Sequence, residues 1–240
     1  MTLDVLAISP HPDDAELHCA GLLLQAQANG GRIGVLVLTR GELGSRGDPE
    51  QRARESAAAG RVLALDVHEH LALPDGFVRV DDASLSAVVD AIRRHRPALL
   101  IAPHWDDHHP DHVAASELAR QAAYLSGLVK YPAPGTAHRP EQVLYYLDRV
   151  SVQPDLVVDV TPVMQKKEQA LRCHAGQLFT AIDTQAQTPL SQPRFLDQWR
   201  ARHAHYGALI GVEHGEAYVI RSPVPVRNPL ALCWGRRGMV

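Results

Sequence analysis

The 240-residue sequence predicts one α/β domain, a mostly parallel sheet with helices on both faces. Three observations lead there. Apolar runs such as "VLAI" and "LLIA" are continuous rather than alternating, as in strands covered on both faces. Strand and helix patterns then alternate four times in succession. Finally, the two densest polar clusters fall directly after apolar strands, where open α/β sheets bind their ligands.

The elements follow in order. Residues 3–9 read as a buried parallel strand, and a helix is expected from Ala15 to about Asn29, closed by Gly30 and Gly31. "RIGVLVLT" is the next strand and "GELGSRGD" a glycine-rich loop. An Asp-Pro pair then opens the alanine-rich helix "PEQRARESAAAGRVLAL". "VHEHLAL" reads as a short strand, and "DDASLSAVVDAIRRHR" as a capped amphipathic helix that stops before Pro97. "ALLIAP", 98–103, is a further buried strand, and "HPDHVAASELARQAAYLSG" the helix after it. "EQVLYYL" and "DLVVDV" add two strands, a helix runs from Pro162 to about Ala175, and "FLDQWRARHAHYGALIG" is the last helix. "EAYVIRSP" is a strand or an extended arm. The domain is expected to span 1–240, with a core at 1–178 and a C-terminal helix and arm at 190–240 packing on it. Loops are expected at 131–140 and 180–194, long enough to shape a pocket or an oligomer contact.

Composition excludes several classes. Net charge is −3, so no basic field favours nucleic acid. No apolar run approaches the roughly 18 residues that span a bilayer. "MTLDVLAIS" lacks the basic region and cleavage site of a signal peptide, which points to the cytoplasm. Cys19, Cys173 and Cys233 are scattered, so neither a disulfide scaffold nor a thiolate zinc site is expected.

"SPHPDDAELHCAG", 9–21, follows the first strand, and "HWDDHHPDH", 104–112, follows "ALLIAP". Together they supply His11, Asp13, Asp14, His109, Asp111 and His112. Imidazole nitrogen and carboxylate oxygen are ligands for zinc and its neighbours, and a catalytic site uses about three of them and keeps a position open. The surplus suits hydrolysis, which also needs a carboxylate to take a proton from water and a group to stabilise an oxyanion. The plainer reading has Asp13 or Asp14 capping a helix and Pro110 opening one. Two such clusters at strand ends of one sheet favour a site. Spacing alone leaves open which carboxylate binds metal.

"HPDDAE" followed by a distant "HPDH" resembles the signature of the LmbE-like (PIG-L) family of N-acetylglucosaminyl deacetylases, Rossmann-like α/β metallohydrolases. The resemblance implies His11, Asp14 and His112 as ligands of one zinc, with Fe2+ or another divalent ion also suited. It implies Asp13 as general base, and His109 as the cation or acid facing the tetrahedral intermediate, with Asp111 orienting and charging it. "QRARES" gives Arg52 and Glu55 as substrate contacts, although on spacing alone an i,i+3 pair reads as a surface ion pair. Glu16 is expected to steady the surroundings of the metal. "HRPEQVLYYL" and the 195–218 segment resemble the branch that hydrolyses N-acetylglucosaminyl-malate in bacillithiol biosynthesis. A malate carboxylate needs a cationic partner, for which Arg52 and Arg139 are the candidates. The resemblance also implies a homo-oligomer, plausibly a hexamer, acting on a small amino-sugar conjugate. His104, Asp106, Asp107, His108 and the 222–240 tail receive no role.

Rival readings are weaker. A deacetylase or amidase for another N-acetylglucosamine conjugate stays open. A phosphoesterase would usually want a second metal and more basic residues. A nucleotide-binding module lacks its glycine fingerprint here, and the carboxylates would repel a pyrophosphate.

Overall fold

The computed structural model describes residues 2–180 and 186–225. Seven strands form one sheet in the order β3-β2-β1-β4-β5-β7-β6. β1 (Val5–Ser9), β2 (Ile33–Thr39), β3 (Val67–Leu73), β4 (Leu99–Pro103) and β5 (Gln142–Tyr146) are mutually parallel. β7 (Gly215–Ile220) lies antiparallel between β5 and β6 (Leu156–Asp159). The helices are α1 (Asp14–His18), α2 (Ala20–Ala28), α3 (Pro49–Leu63), α4 (Asp82–His95), α5 (Pro110–Leu125), α6 (Met164–Leu171) and α7 (Phe195–Ile210). None of the described helices is long and apolar enough to cross a membrane.

Alternation along each strand distributes the core between two faces. Leu6, Ile8, Leu100, Ala102 and Tyr145 pack with the apolar sides of α4 and α5. Val5, Ala7, Ile101, Leu144 and Tyr146 pack with Ala15, Leu22 and Leu23 from α1 and α2. Both faces are therefore covered, which explains the uninterrupted apolar runs. α3 and α4 begin where side chains cap them: Asp48 accepts from Gln51 N–H at 2.6 Å, and Asp81 from Ser84 N–H at 2.8 Å. Each cap contributes about 1 kcal/mol.

One expectation is corrected and one alternative is decided. The first helix is not continuous from Ala15 to Asn29, because it breaks at Cys19 (φ −137°). The break frees the N–H groups of Gly21 and Leu22, and the buried Glu216 carboxylate accepts both at 2.7 Å. Lys167, fully buried, donates to Glu216 and contacts His203, while the Tyr218 hydroxyl also donates to Glu216. A second sheet-side element thus holds the kink. Of the two readings of "EAYVIRSP", the strand is the one the structure shows. It enters the sheet as β7, an interior strand, so the C-terminal helix and strand complete the fold.

The strand order places the site. β1 pairs with β2 on one side and β4 on the other, Val5 opposite Ile33 and Leu99. The chain winds outward in both directions from this pair, and a crevice opens beyond the carboxyl ends of β1 and β4. The two polar clusters, almost a hundred residues apart, become neighbours there.

Candidate metal centre and active site

His11 follows β1 in a turn whose geometry Asp14 fixes. The Asp14 Oδ2 atom accepts from His11 N–H at 2.8 Å and lies 3.0 Å from His11 Nδ1. His112, in the first turn of α5, brings Nε2 to 3.3 Å from the same oxygen. These three side chains place ligand atoms within 4.8 Å of one another, and Asp14 and His112 are buried. Burial lowers the affinity of both imidazoles for protons, yet Asp14 and its acidic neighbours reverse this. His11 is held well above its ordinary range, and His112 is pushed up to about 10. Burial likewise opposes the charge on Asp14, but His112 and His11 hold its carboxyl well below the usual range. Three converging donors of this type, gathered around a shared vertex at low exposure, fit a divalent transition metal.

Among the described residues, two other groups bring ligand atoms within 4.8 Å of one another: His11, His109 and Asp111, and Asp107, His108 and Asp148. The first is otherwise engaged. Asp111 accepts from Gly76 N–H at 2.7 Å and Val78 N–H at 3.1 Å, tying the loop after β3 to α5. In the second, His108 is half exposed.

Each ligand candidate has an oriented far side. His112 Nδ1 lies 3.2 Å from Asp107 Oδ2, and His11 Nε2 lies 3.3 Å from Asp75 and 3.4 Å from Asp111. Carboxylates in this position fix the tautomer and raise the basicity of a ligating imidazole. Against burial, the His112 hydrogen bond and charge bring Asp107 down to about 2.

Asp13 points elsewhere. Its Oδ1 accepts from Arg52 Nη2 at 3.2 Å, and Arg52 Nη1 donates to Gly41 O at 2.9 Å. Gly41 has φ +69°, and a Cβ there or on Gly44 would collide with the guanidinium. The glycine-rich loop is therefore a socket for Arg52. Arg52 does not pair with Glu55 as their spacing suggested. Glu55 turns to the segment after α6, accepting from Gln51 Nε2 at 2.9 Å and Gly176 N–H at 2.8 Å. Glu16 likewise faces that segment, 3.5 Å from the buried His174.

His109 caps α5: its Nδ1 accepts from Asp111 N–H at 3.2 Å. That bond leaves the proton on Nε2. Burial, with the charges of His11 and His112, lowers the His109 pKa, and Asp111 only partly offsets them. Asp111 thus orients His109 through its backbone amide, where the resemblance implied its carboxylate. The Asp111 carboxylate is spent on the 76–78 amides and on His11.

A cavity of about 400 Å³ joins these parts, lined by His11, Asp13, Asp14, Arg52, His109 and His112 and walled by Leu190, Phe195 and Trp199. Neither Glu55 nor Arg139 lines it. Arg139 stacks on Tyr124, 4.5 Å from the ring centroid, and donates to Tyr124 O. It precedes β5, at the amino end of a parallel strand, and the site lies beyond the carboxyl ends. Asp75, Asp107 and Asp148 were missed by sequence reasoning. Asp75 carries the one available signal, since "LPDG" directly follows a third parallel strand.

Fold and site together define an α/β protein with a candidate single-metal hydrolytic centre at its topological switch point. The chain belongs to the family described as PIG-L: GlcNAc-PI de-N-acetylase, whose model matches residues 6–123. It is 28% identical over 194 residues to the diacetylchitobiose deacetylase of Thermococcus kodakarensis, covering 72% of this chain and 69% of that one. It is 27% identical over 197 residues to the 4-oxalmesaconate hydratase of Pseudomonas putida, covering 72% and 73%. A probable N-acetyl-alpha-D-glucosaminyl L-malate deacetylase 2 of Bacillus subtilis is 29% identical over 190 residues, covering 72% and 82%. Among solved structures, the conserved protein TT1542 of Thermus thermophilus superposes with a TM-score of 0.85 at 37% identity, covering 94% and 97%.

Proposed function

We propose that the chain is a divalent-metal-dependent N-deacetylase that hydrolyses the acetamide of an N-acetylglucosaminide to the free amine and acetate. Within that class we infer N-acetylglucosaminyl-malate as the substrate and zinc as the ion, one per chain. One observation carries the reading. A three-donor metal set and a separate carboxylate, Asp13, held by its own arginine, share one cavity. The family membership and the Bacillus subtilis relative support the substrate class.

His11, Asp14 and His112 would hold the ion. When bound, it supplies Lewis acidity, acidifying a water and polarising the acyl carbonyl. Arg52, seated in the Gly41 socket, aims the Asp13 carboxylate, so Asp13 takes the proton of the attacking water. The same carboxyl then returns a proton to the leaving nitrogen. His109, with its proton on Nε2, donates a hydrogen bond to the developing oxyanion. Preorganised donors of this kind are usually the largest contribution to acyl transfer. Leu190, Phe195 and Trp199 add apolar surface to the cavity lining.

The test is a panel. Zinc-loaded protein is incubated with N-acetylglucosaminyl-malate, methyl N-acetylglucosaminide and diacetylchitobiose, and amine and acetate are scored. Because one relative is a hydratase, water addition to 4-oxalmesaconate is scored beside them. Equimolar amine and acetate, greatest from the malate glycoside, is the expected result. Hydration without acetate release would overturn the deacetylase reading.

A further inference from the structure

The catalytic cavity does not end at Asp148. A second groove of about 550 Å³ continues outward between the 148–154 loop and α7, and Asp148, Arg149 and Arg202 line both spaces. The three arginines that line the cavity differ in how their charge is used. Arg52 is held by Asp13 at 3.2 Å, and Arg202 by Asp148 at 3.2 Å. Asp148 is further approached by His18 and His108, each at 3.8 Å, so its charge is committed. Arg149 is exposed, and no described side chain or carbonyl engages it. His205 lines the outer groove as well. The junction therefore presents one uncommitted guanidinium on the path leading away from the metal set.

Placement supports this. Arg149 follows the carboxyl end of β5, on the site's edge of the sheet, whereas Arg139 precedes its amino end. The two arginines thus flank one strand, and its direction decides which can face the substrate.

We propose that this groove is the subsite for the substrate's aglycone, and that Arg149 selects an aglycone bearing an oxyanion. The inference rests on the deacetylase reading of the adjoining cavity and deepens it, because it names the substrate's second half by charge. A guanidinium binds carboxylate and phosphate with the same fork of donors, so either group suits the subsite. Arg149 is assigned as a specificity-determining contact with no part in the bond-breaking step.

The experiment compares kcat/KM of the zinc-loaded protein on N-acetylglucosaminyl-malate, N-acetylglucosamine 1-phosphate and methyl N-acetylglucosaminide. A hydrogen bond to a charged group predicts that Arg149→Ala lowers the anionic-to-neutral ratio roughly 10- to 100-fold. Arg149→Glu should lower it further, Arg149→Lys should keep part of it, and Arg139→Ala should leave it in place. Which anion loses more separates carboxylate from phosphate. Raising salt should lower the wild-type ratio and barely alter that of Arg149→Ala. If no glycoside is turned over, the deacetylase reading fails, and the same ratio is read from calorimetric dissociation constants on the same protein. A ratio unchanged by Arg149→Glu, in rate or in binding, overturns the inference.

Discussion

Asp107 offers a sharp test of how the candidate metal centre is built. Its carboxylate sits 3.2 Å from His112 Nδ1 and accepts from His109 N–H at 2.9 Å, with a side chain that is fully buried. Replacing it by alanine leaves all three proposed ligands in the chain. What is lost is the acceptor that keeps the His112 proton on Nδ1 and aims Nε2 at the Asp14 vertex. Loss of such an outer partner costs about 10- to 100-fold in metal affinity, or roughly 1.4–2.8 kcal/mol. His112→Ala, which removes a ligand outright, should cost more. The assay is competition for zinc against a chelator of known affinity, with circular dichroism confirming the fold. Zinc affinity within twofold of wild type in Asp107→Ala would refute the view that His112 is an oriented ligand.

Other predictions follow from the same geometry. Asp13→Asn should retain one zinc by elemental analysis while kcat falls about 10²- to 10⁴-fold, the usual contribution of a positioned base. His109→Asn preserves a good helix cap but removes the imidazole donor, so zinc content and melting temperature should hold while kcat falls about 10²-fold or more. Burial, with Lys167 beside it, brings the His203 pKa down to about 2. The unfolded chain takes up that proton below about pH 6.5, and the folded chain does not. Folding stability should therefore drop by about 1 kcal/mol per pH unit on acidification from pH 6 to 4, before the titration of other groups is added. Denaturant melts of His203→Gln should show a shallower acid slope than wild type, and an identical slope would contradict the assignment.

Much of the fold was legible because its strands are buried on both faces. The runs at β1, β2 and β4 leave no alternation to mistake, and Asp48-Pro49 marks the start of α3 without help from tertiary contacts. The break at Cys19 was not legible, since its cause is Glu216, almost two hundred residues away. The interior position of β7 was equally hidden, because strand order is a property of pairing rather than of composition. At the site, the motif resemblance named His11, Asp14 and His112, and the structure brings them together. Arg139 misled because its neighbourhood in sequence carries no information on strand direction. Asp111 misled because adjacency to His109 in the chain suggested a pair, whereas its carboxylate meets the amides of another loop.

The central claim is that His11, Asp14 and His112 grip a common divalent ion. Zinc K-edge X-ray absorption on protein loaded with one equivalent tests it most directly. The predicted spectrum has nitrogen and oxygen scatterers at roughly 2.0–2.1 Å, with outer-shell features of two imidazoles that fall to one in His112→Ala. Sulfur scattering, or a spectrum that His112→Ala leaves unchanged, would contradict the account.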